Sequence, residues 1–167
     1  MLDPVLVQCR ELLEEVTPLR RDCGALCGAA CCSSLEGEET GMLLFPGEEE
    51  ACGDEPGFRI TEGAGGKLCI CSGRCERSRR PLACRLFPAL PVIRDGGIRV
   101  EMDLRARAVC PLARQRVDGL SADLTEAVRR VGELLLADPR QRETLLFLTE
   151  QQTEMRRLRR AFSPGSA

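Results

Sequence analysis

Apolar side chains recur at helical spacing near both ends of the chain, and in short runs or alternation between them. Leu6, Cys9, Leu13 and Val16 fall three or four residues apart behind Asp3-Pro4, a capping residue followed by a proline suited to a first helical turn. They predict a helix to about Val16, with Cys9 as a small buried hydrophobe on its apolar stripe. Met42, Leu43, Leu44 and Phe45 read as a short apolar strand. Phe58-Arg59-Ile60-Thr61 and Lys67-Leu68-Cys69-Ile70 flank a glycine-rich turn and predict a hairpin. Pro91-Val92-Ile93 and residues 98–102 flank Asp95-Gly96-Gly97 and predict a second. Toward the end, Ser121 precedes a Leu124, Val128, Val131, Leu135 stripe reaching about Ala137. Asp138-Pro139 then opens another helix, with Leu145, Leu148 and Met155 among its apolar positions and Arg156-Arg157-Leu158-Arg159-Arg160 at its end.

The pattern predicts a small α+β fold: a loop-rich, metal-organised domain with two β-hairpins and a C-terminal helical pair. The expected organisation is a cysteine-cluster metal-binding domain with its N-terminal helix over residues 1–115. A helical hairpin over 116–162 packs on it, and a disordered tail covers 163–167. Residues 20–41, dense in Gly, Ala and Cys, read as irregular. Residues 36–55 hold acidic side chains and no basic one, which reads chiefly as a solvated surface loop.

Composition changes this picture at one point. The 167 residues include 11 cysteines and no His, Trp or Tyr. The absence of histidine excludes a His-bearing triad, a His-ligated zinc enzyme, a two-His facial triad and a His-ligated haem. A formal charge of −2 and 3% aromatics argue against a nucleic-acid partner. The opening residues lack the basic flank and long apolar run of a signal peptide. No stretch nears the ~20 apolar residues of a membrane span. The expected location is therefore cytoplasmic, where thiols stay reduced, and an odd cysteine count forbids complete internal pairing. A metal ion is the expected partner of these thiols.

The spacing of the cysteines points the same way. Cys23, Cys27, Cys31 and Cys32 form successive C-x3-C steps ending in an adjacent pair, with only Gly, Ala and Leu between them. Small residues let backbone N–H groups approach the sulfurs and offset their charge. A radical S-adenosylmethionine motif would need cysteine where Ala30 stands, which excludes it. Further on, a second group opens with Cys69-Ile70-Cys71, Cys71 and Cys75 repeat C-x3-C, Cys84 follows, and Cys110-Pro111 is placed to close the shell. The C-x2-C knuckle of structural zinc modules is missing, so an iron–sulfur cluster is favoured over zinc, although thiolates alone suit both. Arg74, Arg77, Arg79, Arg80 and Arg85 crowd this second group. They either offset thiolate charge or bind an anionic substrate in front of it, or else pair as a solvated loop with the acidic stretch, with Arg80 and Arg85 assigned to support of the site. The turn at Gly63-Ala64-Gly65-Gly66 lacks the strand–turn–helix context of a nucleotide loop.

Cys23, Cys27-Gly28-Ala29-Ala30-Cys31-Cys32 and, later, Arg80-Pro81-Leu82-Ala83-Cys84-Arg85-Leu86-Phe87-Pro88 resemble the YkgJ-type cysteine cluster family. Its patterns are CxxCxxxCC or CxxCxxCC followed by an Arg-Pro-x-x-Cys-Arg-x-Phe half, and the resemblance covers roughly residues 20–112. It implies zinc or iron chelation by Cys23, Cys27, Cys31 or Cys32, Cys75 and Cys84. The chain departs from the common form in the three residues between Cys23 and Cys27. Some family members are flagellin lysine N-methylases. The resulting expectation is a metal-binding protein in electron transfer, redox sensing or metal handling. The alternatives are a metal-dependent protein-modifying enzyme and a structural zinc module presenting its C-terminal helices to a protein partner.

Overall fold

The computed structural model describes residues 2–20, 23–32, 41–73 and 75–162. Arg74, the acidic positions Glu36, Glu38 and Glu39, and the tail 163–167 lie outside the described residues. Among the described residues, six α-helices and two small antiparallel sheets make an α+β fold, as the pattern predicts.

Helix α1 (Pro4–Leu12) starts as expected, with the Asp3 carboxylate accepting from the Val5 N–H. It stops four residues short of Val16. Just past its end, Arg77 donates to the carbonyls of Leu13, Glu14 and Val16, which supplies partners to groups that the helix leaves unpaired. Leu6, Cys9 and Leu13 are buried in the core, so the apolar reading of Cys9 holds. Burial pushes its thiol up to about 12, with Glu48 and Asp3 adding to the effect.

Three strands, β1 (Gly41–Leu43), β2 (Phe58–Gly63) and β3 (Gly66–Cys71), pair in the order β1-β3-β2, with helix α3 (Glu49–Gly53) between β1 and β2 in sequence. The β2–β3 hairpin is the predicted one, and β1 adds antiparallel to the free edge of β3, Met42 opposite Cys69. Strand β1 ends before Phe45, whose N–H donates instead to the Glu48 carboxylate. Helix α4 (Leu82–Leu86) leads to the second hairpin, β4 (Ala89–Arg94) and β5 (Gly97–Met102). Asp95 and Gly96 both take positive φ, 53° and 78°, as a two-residue type I′ turn requires.

The helical pair is α5 (Ala122–Ala137) and α6 (Pro139–Ala161). Ser121 caps α5 through the Leu124 N–H, and Asp138 both ends α5 and caps α6. Leu124, Val128, Val131 and Leu135 are buried, and with Leu145 and Leu148 they join Leu6, Phe45, Leu82 and Val92 in one apolar cluster. The pair therefore shares its core with the rest of the chain. At Gly132 an added Cβ would lie 2.7 Å from both Ile98 and Pro91, so α5 sits directly on the β4–β5 hairpin. Buried polar groups of α6 tie it down: Gln152 donates to the Met102 carbonyl and accepts from the Leu104 N–H, and Gln141 donates to the Pro46 carbonyl. Among the described residues no helix is long and apolar enough to cross a membrane.

The solvated reading of residues 36–55 fails at Glu48, which is 0% exposed. Its two carboxylate oxygens accept from the N–H groups of Phe45 (3.0 Å) and Leu82 (2.7 Å), and Arg10 lies 3.5 Å away. One acidic side chain thus joins the end of β1 to the start of α4.

Candidate metal centre

The first cysteine group is shaped by tight backbone turns. Helix α2 (Gly24–Cys27) is a single turn ended by Gly28 in the left-handed region, φ 62°. Ala29 follows at φ 55°, a conformation that an alanine adopts at a cost of ~1–3 kcal/mol. These two reversals lead into a 3-10 turn carrying Cys31 and Cys32. The second group comes from other elements. Cys69 and Cys71 share a face of β3 by strand alternation, Cys75 lies in the following loop, and Cys84 sits in α4.

Tertiary structure brings the two groups to one cavity of about 340 Å³. Cys31 and Cys32 line it together with Cys69, Cys71, Cys75 and Cys84, and Arg80 completes the sulfur-rich side. Met42, Phe58, Pro81, Phe87 and Val109 supply apolar wall, and the Asp103–Arg105 ion pair (2.7 Å) a polar one. Cys23 and Cys27 act on Cys31 electrostatically without lining the cavity. Cys110 begins the 3-10 turn Pro111–Arg114 and is not among the lining residues. Among the described residues, no three Cys, Asp or Glu side chains are grouped as a ready metal cage. The sulfurs surround a shared space without converging on one point.

Their protonation is asymmetric. Cys31 donates its thiol to Cys32, which draws Cys32 down to about 6, with Arg80 reinforcing the effect against burial. The same bond pushes Cys31 up, helped by burial. Cys84 is pushed up by burial and then by the neighbouring Cys75 and Cys32. Burial also raises Cys75, although the Arg80 guanidinium hydrogen-bonds to its sulfur. Burial works against the charge on Arg80, yet Cys75, Cys32 and Cys84 together hold its pKa above the ordinary value.

The arginines separate into distinct roles. Arg80 is the cation facing sulfur, and its Nε is buried without a protein hydrogen-bond partner. Arg85 is 6% exposed and donates to the carbonyls of Arg77, Ser78 and Arg80, and to Glu14 at 2.7 Å. It therefore holds the loop from which Arg80 reaches the cavity. Arg77 caps α1, and Arg79 pairs with Glu55 at 3.4 Å. The two readings of this basic run are both partly met, residue by residue.

The site includes groups that sequence reading left without a role. Cys69 lines the cavity, and Cys52, from α3, donates its thiol to the Cys69 sulfur. Alternation along β3 places Cys69 on the face of Cys71, a usable signal; nothing local marks Cys52. Asp103 and Arg105 announce themselves only as a capping aspartate and its neighbour.

Fold and site together define a small α+β protein with a thiol-lined cavity backed by an arginine. Comparison of the chain with protein-family profiles, curated proteins and solved structures gives no match.

Proposed function

We propose that this chain is a metal-binding protein whose cavity holds a thiolate-ligated centre, an iron–sulfur cluster in preference to zinc. Its role would be in electron transfer, redox sensing or metal handling. The observation that carries this reading is the meeting of Cys31 and Cys32 with Cys71, Cys75 and Cys84, from distant stretches of chain, around one cavity. With Cys69, six free thiols line this space, a soft donor set that fits iron–sulfur clusters and zinc and suits hard cations poorly. Arg80 supports the same reading, because a guanidinium in hydrogen-bond contact with a sulfur offsets the negative charge that several thiolates accumulate.

The ligands would be Cys32, Cys75 and Cys84 with Cys31 or Cys71, all lining the cavity. An iron–sulfur cluster so held would supply one-electron redox chemistry, and zinc would supply folding energy alone. The chain's own contribution is to keep ligand sulfurs beneath apolar cover and to hold Arg80 in place through Arg85. The YkgJ-type resemblance and a cytoplasmic location, where free thiols persist, belong to the same proposal. A protein partner would find apolar contact at Leu146, Leu158 and Phe162, exposed along α6 and just past its end.

The test is metal and acid-labile sulfide analysis with absorption spectroscopy on anaerobically purified protein. Iron with sulfide and broad visible absorbance is the expected result. Zinc in a colourless protein selects the other centre, and protein that retains neither metal refutes the proposal.

A further inference from the structure

We propose that Cys52 and Cys69 form a redox-active dithiol, closed to a disulfide by a small hydroperoxide that reaches Cys69 through the cavity. The two residues come from separate elements, α3 and β3, and both are free thiols. They are 1% and 3% exposed and, with Leu44, Phe58 and Ile60, form an apolar cluster apart from the main core. Within it the Cys52 and Cys69 side chains pack in one small cluster, and Cys69 is the strongest influence on the Cys52 thiol. Access is one-sided: Cys69 lines the cavity and Cys52 does not. Neither residue is among the proposed metal ligands, and Cys69 shares their cavity, two residues from Cys71.

This placement assigns an order to the chemistry. The Cys69 thiolate attacks one oxygen of the hydroperoxide. The O–O bond breaks, the leaving oxygen takes a proton and departs as alcohol or water, and Cys69 becomes a sulfenic acid. The Cys52 sulfur then attacks the Cys69 sulfur, the S–S bond forms, and hydroxide leaves with the Cys52 proton as water. Two thiols lose two electrons, and the hydroperoxide gains them. The cavity reaches Cys69 and not Cys52, which makes Cys69 the attacking sulfur and Cys52 the resolving one.

The experiment treats the full reduced chain with hydrogen peroxide, unfolds and alkylates it, and digests it without reduction using trypsin and a glutamyl endopeptidase. Cleavage after Glu50 and Glu55 isolates Cys52, and cleavage after Lys67 and Arg74 leaves Cys69 with Cys71, which fragmentation distinguishes. The expected product is a Cys52–Cys69 cross-linked peptide that dithiothreitol reverses, with matching loss of alkylated Cys52. Cys52 that stays fully alkylatable while cavity thiols oxidise overturns the proposal, as does its linkage to any other cysteine. In a Cys52→Ser variant, a dimedone adduct should accumulate at Cys69; if that variant does not fold, the mapping of the unaltered chain decides. Metal content measured on the same samples separates this result from the metal proposal: the disulfide is expected in the metal-free fraction, where the cavity is open to peroxide, and its absence there overturns this proposal while leaving the metal one standing.

Discussion

Replacing Glu48 tests the link between the buried framework and the cysteine cavity. Its carboxylate accepts two backbone N–H groups, from Phe45 at 3.0 Å and Leu82 at 2.7 Å, and it is completely buried. Glu48→Ala leaves both donors without a partner in a place water does not reach. Each orphaned buried donor costs ~1–3 kcal/mol, so the loss is ~2–6 kcal/mol, before any cost of leaving Arg10 beside an empty site. Against the ~5–15 kcal/mol that stabilises a typical domain, this is a large share. Glu48→Gln keeps one acceptor and turns an amide NH₂ toward the other N–H, so its cost should be about 1–3 kcal/mol. Leu82 begins the helix that carries Cys84, so both variants should also hold metal less well, the alanine variant worse. Urea unfolding followed by far-UV circular dichroism measures the stabilities, provided the m-value is unchanged. A Glu48→Ala midpoint equivalent to less than ~0.5 kcal/mol of change, the scatter of ordinary surface substitutions, would refute the reasoning.

Other perturbations probe the fold and the site independently. Gly132→Ala should gain about 1 kcal/mol from helix propensity, yet its Cβ would meet Ile98 and Pro91 at 2.7 Å. Overpacking of that kind costs about 1–3 kcal/mol, so thermal unfolding should show net destabilisation or no gain. Glu101 is pushed up by burial but drawn below the usual carboxylate range by hydrogen bonds from Arg94 and Gln152 and by Arg156. Its depressed folded value means its contribution is present above the unfolded glutamate pKa and is lost as pH falls through the folded one. Glu101→Gln should flatten the acid limb of the stability–pH curve, and an unchanged limb would remove Glu101 from that account. Cys84→Ser should lose bound metal, whereas Cys110→Ser, outside the cavity lining, should retain it at wild-type stoichiometry by elemental analysis.

Much of the architecture is written in local sequence, because the forces concerned act over a few residues. Asp3, Ser121 and Asp138 cap their helices where their side chains reach the next N–H groups. Asp95-Gly96 makes its turn because both residues tolerate positive φ. The apolar periods of α5 and α6 place Leu124, Val128, Leu145 and Leu148 in the core. Cysteine spacing likewise marks Cys31, Cys32, Cys71, Cys75 and Cys84, which meet at the cavity, together with Cys23, Cys27 and Cys110, which do not line it. What only tertiary structure decided depends on partners far away in the chain. The carbonyls just past α1 find their donor in Arg77, more than sixty residues on. Glu48 hides within an acidic run that reads as solvated, and it is buried because Leu82 and Arg10 arrive around it. Arg80 and Arg85 look alike in sequence, yet one faces sulfur and the other holds carbonyls. Cys52 gains a sulfur neighbour, while Cys110 ends outside the cavity wall. Hydrogen bonds and charge pairs between segments follow from how those segments pack, and local pattern carries no record of that.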